Sequence, residues 1–485
     1  MSDAAGKTSK SGRVKRIGLA LFAFTARSLQ QVATFVITLL AARFLMPAEY
    51  GVYAIAIIFI TLIQTLTYSG FYQWIVNAKE DDHAVLGTAF WMIVGLAAAA
   101  SALLAVAALP LSRLFEAPDL FGVLLALAAI QPIAGAGAWF SATLLRRGAV
   151  NTHFSIMFVQ NLSALIGGAL LLWMWQSLYA LVAFRYLRVL TAMLLYLLFS
   201  KDRPGFTFDR SLSRQASKFS GGLYGARFLN FLSRYAGDLL LGLMFTTAEA
   251  GLYRFGSRVA GGATDIVAQP MRSFALTQFG AAARKGADLG GPLRRFVGSV
   301  VLMTGIVAAV VIVIGPTVVA DFFNPAYMAA LGVTFAMAIR SVLNVGTLVI
   351  EPALAARDRT GLVAMFNLVW TVITILSVLA ASPFGLIALA VSQAGVMLMT
   401  TLSAFVVLRR ESIEVSGAVR SLFIAAGLSV LYGVALYVLW QPLSAAIQGD
   451  MLAVLAGIAL AAVLGAVTLA LGWKLRVFTL SVFSG

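Results

Sequence analysis

From residue 17 onward the chain is a series of long apolar runs separated by short polar interruptions. A helix that crosses a bilayer needs roughly 20 apolar residues. Runs of that kind fall at 17–42, 49–75, 84–110, 119–145, 152–174, 177–200, 218–245, 249–279, 292–320, 326–354, 361–381, 384–408, 417–440 and 451–473. The pattern predicts an all-α polytopic membrane protein of about 14 transmembrane helices. An even number of crossings returns the C-terminus to the starting side. The polar interruptions test this topology, because cytoplasmic loops collect Lys and Arg. Loops on the starting side, with the first turns that adjoin them, hold 24 basic residues, while the opposite loops hold only Arg43 and Arg113. Both termini are therefore expected in the cytoplasm.

Composition agrees. Of 485 residues 61% are hydrophobic and 11% charged, with a mean hydropathy of +0.94, so the solvent is mostly lipid. The net charge of +16 sits largely in the loops that set topology, which argues against a nucleic-acid partner. The first 16 residues, MSDAAGKTSKSGRVKR, read as a basic cytoplasmic tail. The apolar run behind them is longer than a signal-peptide core and has no A-x-A site, so it reads as a retained first helix. There are no cysteines and only two histidines, His83 and His153, in no metal-ligand spacing. No metal and no cofactor are expected. The outer loops are short, and no P-loop, H-E-x-x-H, G-x-S-x-G or paired carboxylates occur, so the chain is expected not to be an enzyme.

A repeat organises the helices. Setting 17–76 over 217–276 without gaps matches Ala26-Arg27 with Ala226-Arg227, and Ala48-Glu49, Gly51 and Tyr53 with Ala248-Glu249, Gly251 and Tyr253. Six spans precede the second copy, so both copies start on the same side, as a parallel repeat does. The expected organisation is a tail (1–16), an N-terminal six-helix lobe (17–200), a linker (201–217), a pseudo-symmetric C-terminal six-helix lobe (218–408), and two extra helices in 409–485.

The turn Ala42-Arg43-Phe44-Leu45-Met46-Pro47-Ala48-Glu49-Tyr50-Gly51-Val52-Tyr53 after the first helix, with its echo at 248–253, resembles the polysaccharide flippases of Wzx type. These form a family of the multidrug/oligosaccharidyl-lipid/polysaccharide superfamily. The resemblance implies translocation of an undecaprenyl-pyrophosphate-linked oligosaccharide across a bacterial inner membrane for surface polysaccharide synthesis. It implies the polyprenyl-linked oligosaccharide and the bilayer as partners, polysaccharide polymerase or export machinery as further ones, and a monomer. Locally the turn is structural: Pro47 bars helix continuation, and Glu49 places an acid in the first turn of the next helix.

Nine arginines fall inside spans, beyond their first turns: Arg27, Arg185, Arg188, Arg227, Arg234, Arg254, Arg258, Arg272 and Arg340. The acids beyond the first turns are Asp238, Asp265 and Glu351. An arginine facing lipid at mid-membrane costs about 2.5–3.5 kcal/mol, so most should face a wet interior. All but Arg254 are candidates to line a cationic cavity between the lobes that holds pyrophosphate and acidic sugars. The guanidinium fork pairs two phosphate oxygens and never loses its proton. Other readings stay open. Arg234 and Asp238 are spaced for an i,i+4 salt bridge, Arg254 can snorkel from the outer end of its helix, and Glu351 precedes a kink at Pro352. Asp265 could pair with Arg258 or bind a coupling ion. The glycines at 256–262 suit close helix contact, and Trp74, Trp91, Trp139, Trp173 and Trp175 suit packing or interfacial belts. A cation-coupled multidrug exporter, a lipid-linked peptidoglycan-precursor flippase and a non-transporting scaffold are the competing functions. The first would need membrane carboxylates, and the first six spans contain none beyond their first turns.

Overall fold

The computed structural model describes residues 29–78, 82–284, 288–357, 359–447 and 449–478, and among these every regular element is helical. The helices are α1 (Leu29–Phe44), α2 (Pro47–Thr67), α3 (Ser69–Asn77), α4 (Asp82–Leu114), α5 (Pro118–Ala129), α6 (Gln131–Arg146), α7 (Val150–Trp175), α8 (Leu178–Phe199) and α9 (Arg210–Met244). They continue as α10 (Thr247–Arg284), α11 (Gly290–Phe322), α12 (Leu331–Leu343), α13 (Val345–Ala355), α14 (Thr360–Ala381), α15 (Leu386–Arg410), α16 (Ser416–Ala446) and α17 (Asp450–Lys474).

Eleven spans among the described residues are long and apolar enough to cross a membrane. The expected fourteen include three more: α1, of which 16 residues are described, and α9 and α10, whose arginines and acids lower their apolarity. Several helices outrun their apolar runs. α9 starts at Arg210 rather than 218, and α4 continues through Pro110 to Leu114. Hydropathy registers only the part of a helix inside the hydrocarbon, whereas the backbone hydrogen bonds continue into the polar interface. The interior is apolar, and the outside is apolar too: Leu103, Val106 and Ile166 are 71%, 77% and 62% exposed, as side chains that meet acyl chains should be.

Three expected spans are each built from two helices, with breaks at Tyr68, Ile130 and Asn344. The last two occupy the fourth span of each six-helix set, and they are closed in the same way. At the first break, Pro132 lacks the N–H that would continue the ladder. The Tyr186 hydroxyl of α8 donates to the Ala126 carbonyl at 2.5 Å, and Gln131 Nε2 donates to that of Leu127 at 2.8 Å. At the second, the Thr401 hydroxyl of α15 donates to the Leu343 carbonyl and accepts from the Gly346 N–H at 3.0 Å. In both sets the sixth span caps the broken fourth. Gly346 has to be glycine, since a Cβ there would stand 2.4 Å from Thr401 Cα.

The chain divides into two compact units, Met1–Ala248 and Glu249–Gly485. In the first, one apolar cluster joins α2, α4, α5 and the start of α8, and a second joins α3, α4, α6, α8 and α9. α9, which the repeat counts as the opening helix of the second lobe, packs with the first unit. Tyr224 meets Phe71 edge-on at 6.0 Å and donates to the Thr67 carbonyl, while Ser220 lies against Gly70. In the second unit the large cluster joins α10, α11, α13, α15 and α16. A smaller one fixes α16 to α17 through Tyr432, Leu436 and Trp440. Gly256 of α10 lies against the backbone of Thr334, which is the close helix contact expected of the glycines at 256–262.

Between α8 and α9 the connection 200–209 runs over α4 as a strap. The Arg203 guanidinium donates to the carbonyls of Ser200 (2.6 Å) and Leu197 (2.7 Å), closing the C-terminus of α8. Arg147 pairs with Asp202 at 2.9 Å on the surface, where such a pair is worth at most about 1 kcal/mol. Trp91 Nε1 donates to the Gly205 carbonyl at 3.0 Å. Asp209 ends the strap as the N-cap of α9, accepting from the N–H groups of Ser211 and Leu212 and from the Ser211 hydroxyl. Those three donors hold its carboxyl below the usual carboxylate range, the Ser211 hydroxyl most of all. A carboxyl lowered by folding stabilises the folded chain fully above its unfolded value, about 4. The contribution is lost as pH falls through the lower folded value. In Asp209→Ala, which removes the accepting oxygen, the amide protons of Ser211 and Leu212 are expected to exchange faster than in the parent at pH 6. As the parent is acidified, its own exchange should approach that of the variant. Equal protection at pH 6 would refute the cap.

Candidate functional site

The polar interior of the first unit is assembled around α8. Gln176 takes a left-handed conformation (φ 43°) to end α7, and the Ser177 hydroxyl accepts from the Tyr179 N–H to start α8. This tight turn folds α8 back along α7, where Gly167 and Gly168 receive Leu187 and Phe184. Apolar contacts on both sides of Arg185 and Arg188 thus set the rotation of α8. The two arginines, three residues apart, share a face and are half-buried.

Tyrosines surround them. Arg185 Nε donates to the Tyr53 hydroxyl on α2 at 3.4 Å. Tyr68, at the break between α2 and α3, lies within electrostatic reach of both arginines, and Tyr196 within reach of Arg188. Tyr196 is 5% exposed and stacks on Phe140 with centroids 5.8 Å apart and planes at 9°. Beyond it the polar groups continue: Ser141 Oγ lies 3.2 Å from the Tyr72 hydroxyl and 3.2 Å from His153 Nδ1. Gln64 Nε2 donates to Gln131 Oε1 at 3.1 Å beside the break in the fourth span. Neither Arg185 nor Arg188 forms an ion pair among the described residues, and the first six spans supply no interior carboxylate. Two guanidiniums with spare donors, inside a span and bordered by phenol hydroxyls, suit an anion with several oxygens.

The other expected site residues are dispersed. Arg27 lies outside the described residues, and Arg234 and Arg272 fall on α9 and α10 with their side chains outside the described set. Arg227 is half-buried on α9, within electrostatic reach of Tyr224. Asp238, Arg258 and Glu351 are half-buried, Asp265 is exposed, and all four have partners. In the second unit Arg340 occupies the last turn of α12, just before the break at Asn344. Its Nε is buried without a hydrogen-bond partner. No group of three or more metal-ligating side chains occurs among the described residues. Of the tryptophans, Trp74 and Trp139 are buried, and Trp91, Trp173 and Trp175 are exposed.

The sequence singles out the arginines but not the tyrosines beside them. The turn at 43–53 was read as structural, yet its last residue, Tyr53, holds Arg185. The spacing of Tyr196, eight residues after Arg188, places it on the same face of α8 and would have been the available signal.

A model of the family described as polysaccharide biosynthesis protein matches residues 40–303, more than half of the chain. A succinoglycan biosynthesis transport protein, ExoT of Rhizobium meliloti (strain 1021), is 23% identical over 247 residues. That match covers 51% of this chain and about half the length of that relative (50%). Among solved structures, the lipid II flippase MurJ in an inward closed conformation superposes with a TM-score of 0.74, covering 94% of this chain and 99% of that one at 12% identity. An inward-facing multidrug resistance MATE transporter of the MOP superfamily superposes with a TM-score of 0.57, covering 80% and 98%, also at 12% identity. These superpositions establish a common fold, and identities this low leave the cargo open. The chain belongs to the polysaccharide biosynthesis protein family and has the multi-helix membrane fold of the MOP transporters.

Proposed function

We propose that the chain is a flippase that carries a polyprenyl-pyrophosphate-linked oligosaccharide from the inner to the outer leaflet of a bacterial inner membrane, with both termini in the cytoplasm. The observation that carries this reading is the pair Arg185 and Arg188, half-buried in a span without carboxylate partners and bordered by Tyr53, Tyr68 and Tyr196. A pyrophosphate has the charge and the oxygen count to engage both forks. Tyrosine rings and hydroxyls, with the glutamine pair nearby, suit sugar faces and hydroxyls. Arg340, with its spare Nε, is assigned to the same cargo within the second unit. The polyprenyl chain would stay in lipid while the charged head crosses by alternating access. An organic cation is disfavoured by the same pair of charges.

Deleting the gene and extracting lipids tests the reading. Polyprenyl-linked repeat units should accumulate on the cytoplasmic face while surface polysaccharide is lost. Accumulation of a cell-wall precursor instead would redirect the assignment.

A further inference from the structure

The second unit contains a cavity of about 330 Å³ at the ends of α11, α16 and α17, remote in sequence from the arginines assigned to cargo. Its polar wall is Arg294 from α11 and Arg420 from α16, and its floor is Ser421, Ile424 and Val477. α16 and α17 are the two helices outside the six-helix repeat.

The cavity is built by specific local chemistry. Arg476 takes a left-handed backbone conformation (φ 58°) just after α17, which turns the chain back. The N–H groups of Val477 and Phe478 then bond the Gly472 carbonyl at 2.9 and 3.0 Å. The turn presses Val477 onto Gly298 of α11, where a Cβ would stand 2.4 Å from the Val477 carbonyl oxygen. On the other side, Gly417 in the first turn of α16 lets the stem of Arg294 lie across it, its Cδ 3.2 Å from where a Cβ would be.

The two guanidiniums are not neutralised. Both are exposed, and neither has an ion pair or hydrogen-bond partner among the described residues. The carboxylates at this end are engaged elsewhere. Glu411 pairs with Arg359 at 3.3 Å, Asp288 accepts from the Gly290 N–H at 3.0 Å, and Glu414, which keeps its charge, accepts at 2.6 Å from the hydroxyl of Ser416 at the cavity's edge; none of the three pairs with Arg294 or Arg420. Leu475, which lines the cavity, is 51% exposed, and Phe423 and Trp473, on the same stretches of α16 and α17, are 67% and 68% exposed, so large apolar side chains accompany the charged cavity on the outer surface. Two arginines without partners among the described residues, at helix ends and over a floor of Ile424 and Val477 with one hydroxyl from Ser421, match one occupant: a lipid with an anionic headgroup.

We infer that Arg294 and Arg420 bind the phosphodiester of an anionic phospholipid from the adjoining leaflet, whose acyl chains lie along the exposed surface of α16 and α17. The inference does not depend on what the transporter carries, and its test involves no transport measurement. Full-length protein purified in detergent is offered phosphatidylglycerol or phosphatidylcholine, and retained lipid is read by native mass spectrometry. Each arginine near an anionic lipid contributes about a fivefold effect, so Arg294→Gln with Arg420→Gln should lower phosphatidylglycerol retention roughly 25-fold. Arg409→Gln with Arg410→Gln removes the same charge from the end of α15 and should leave retention unchanged. Gly417→Leu keeps every charge but fills the groove beside Arg294, and should lower retention as well. Monodisperse elution checks that each variant is folded. Equal losses in both arginine pairs would reduce the site to general surface charge and overturn it, as would retention of phosphatidylcholine equal to that of phosphatidylglycerol. Displacement of the lipid by millimolar inorganic phosphate would assign the cavity to a free phosphate and also overturn it.

Discussion

Replacing Arg185 and Arg188 together by glutamine is expected to reduce export of the lipid-linked oligosaccharide by two to four orders of magnitude, with normal amounts of protein in the membrane. A hydrogen bond to a charged group contributes about 1.5–3 kcal/mol, so losing one from each arginine removes about 3–6 kcal/mol of cargo binding. Insertion should not suffer. Neither arginine holds an ion pair among the described residues, and Arg185 makes only a 3.4 Å bond to Tyr53, so little folding energy resides in them. Glutamine is also cheaper than arginine to keep inside a span. The lysine pair separates charge from geometry. It keeps two cations but loses the fork, and should give intermediate export. The measurement is surface polysaccharide per cell against immunoblotted protein in isolated membranes. Full export by the double glutamine variant would remove α8 from the transport path.

Trp139→Ala is expected to be the most destabilising single truncation in the first unit, at about 3–5 kcal/mol. The side chain is fully buried (0% exposed) where α6 crosses α4. Its indole Nε1 donates to the Leu86 carbonyl at 2.8 Å, and its ring meets Phe90 and Phe140 edge-on at 5.4 and 4.9 Å. Truncation leaves a void in a cluster that also contains Phe71, Trp74 and Tyr196. Heating in detergent while following loss of the monodisperse species gives the readout. The comparison is Trp173→Ala: Trp173 is 63% exposed near the end of α7, and its loss should barely move the midpoint. Equal shifts would mean that lipid-facing and interior tryptophans contribute alike, contrary to the packing described.

Much of the architecture was legible because a bilayer imposes a length. The apolar runs mark the helices, and the two-sided count of basic residues adds an independent test of topology. The breaks were less legible. Hydropathy averages over Ile130 and Asn344, and a proline at 132 is compatible with either a kink or a break. The capping of those breaks by Tyr186 and Thr401 depends on contacts some 60 residues apart, beyond the reach of any local pattern. For the site, charge in a lipid environment is so costly that Arg185, Arg188 and Arg340 stood out from the sequence alone. The tyrosines did not, because a tyrosine in a membrane protein is unremarkable until its neighbours are known. The packing of α9 with α2 and α3 was likewise invisible, since homology within a repeat says which helices are related and not which ones touch.

The broken fourth spans bear on how the chain is made. At 1.5 Å per residue, the 12 residues of α5 and 16 of α6 reach about 18 and 24 Å, and the 13 of α12 and 11 of α13 about 20 and 17 Å. Each is shorter than the roughly 30 Å hydrocarbon layer, so neither half can settle across it before its mate emerges from the ribosome. Even the joined pair carries carbonyls whose side-chain caps have not yet been synthesised, Tyr186 for the first break and Thr401 for the second. During translation each half-bundle therefore waits on its sixth segment. A nascent chain halted just before α8 or α15 should remain a client of the insertion machinery rather than a finished lobe.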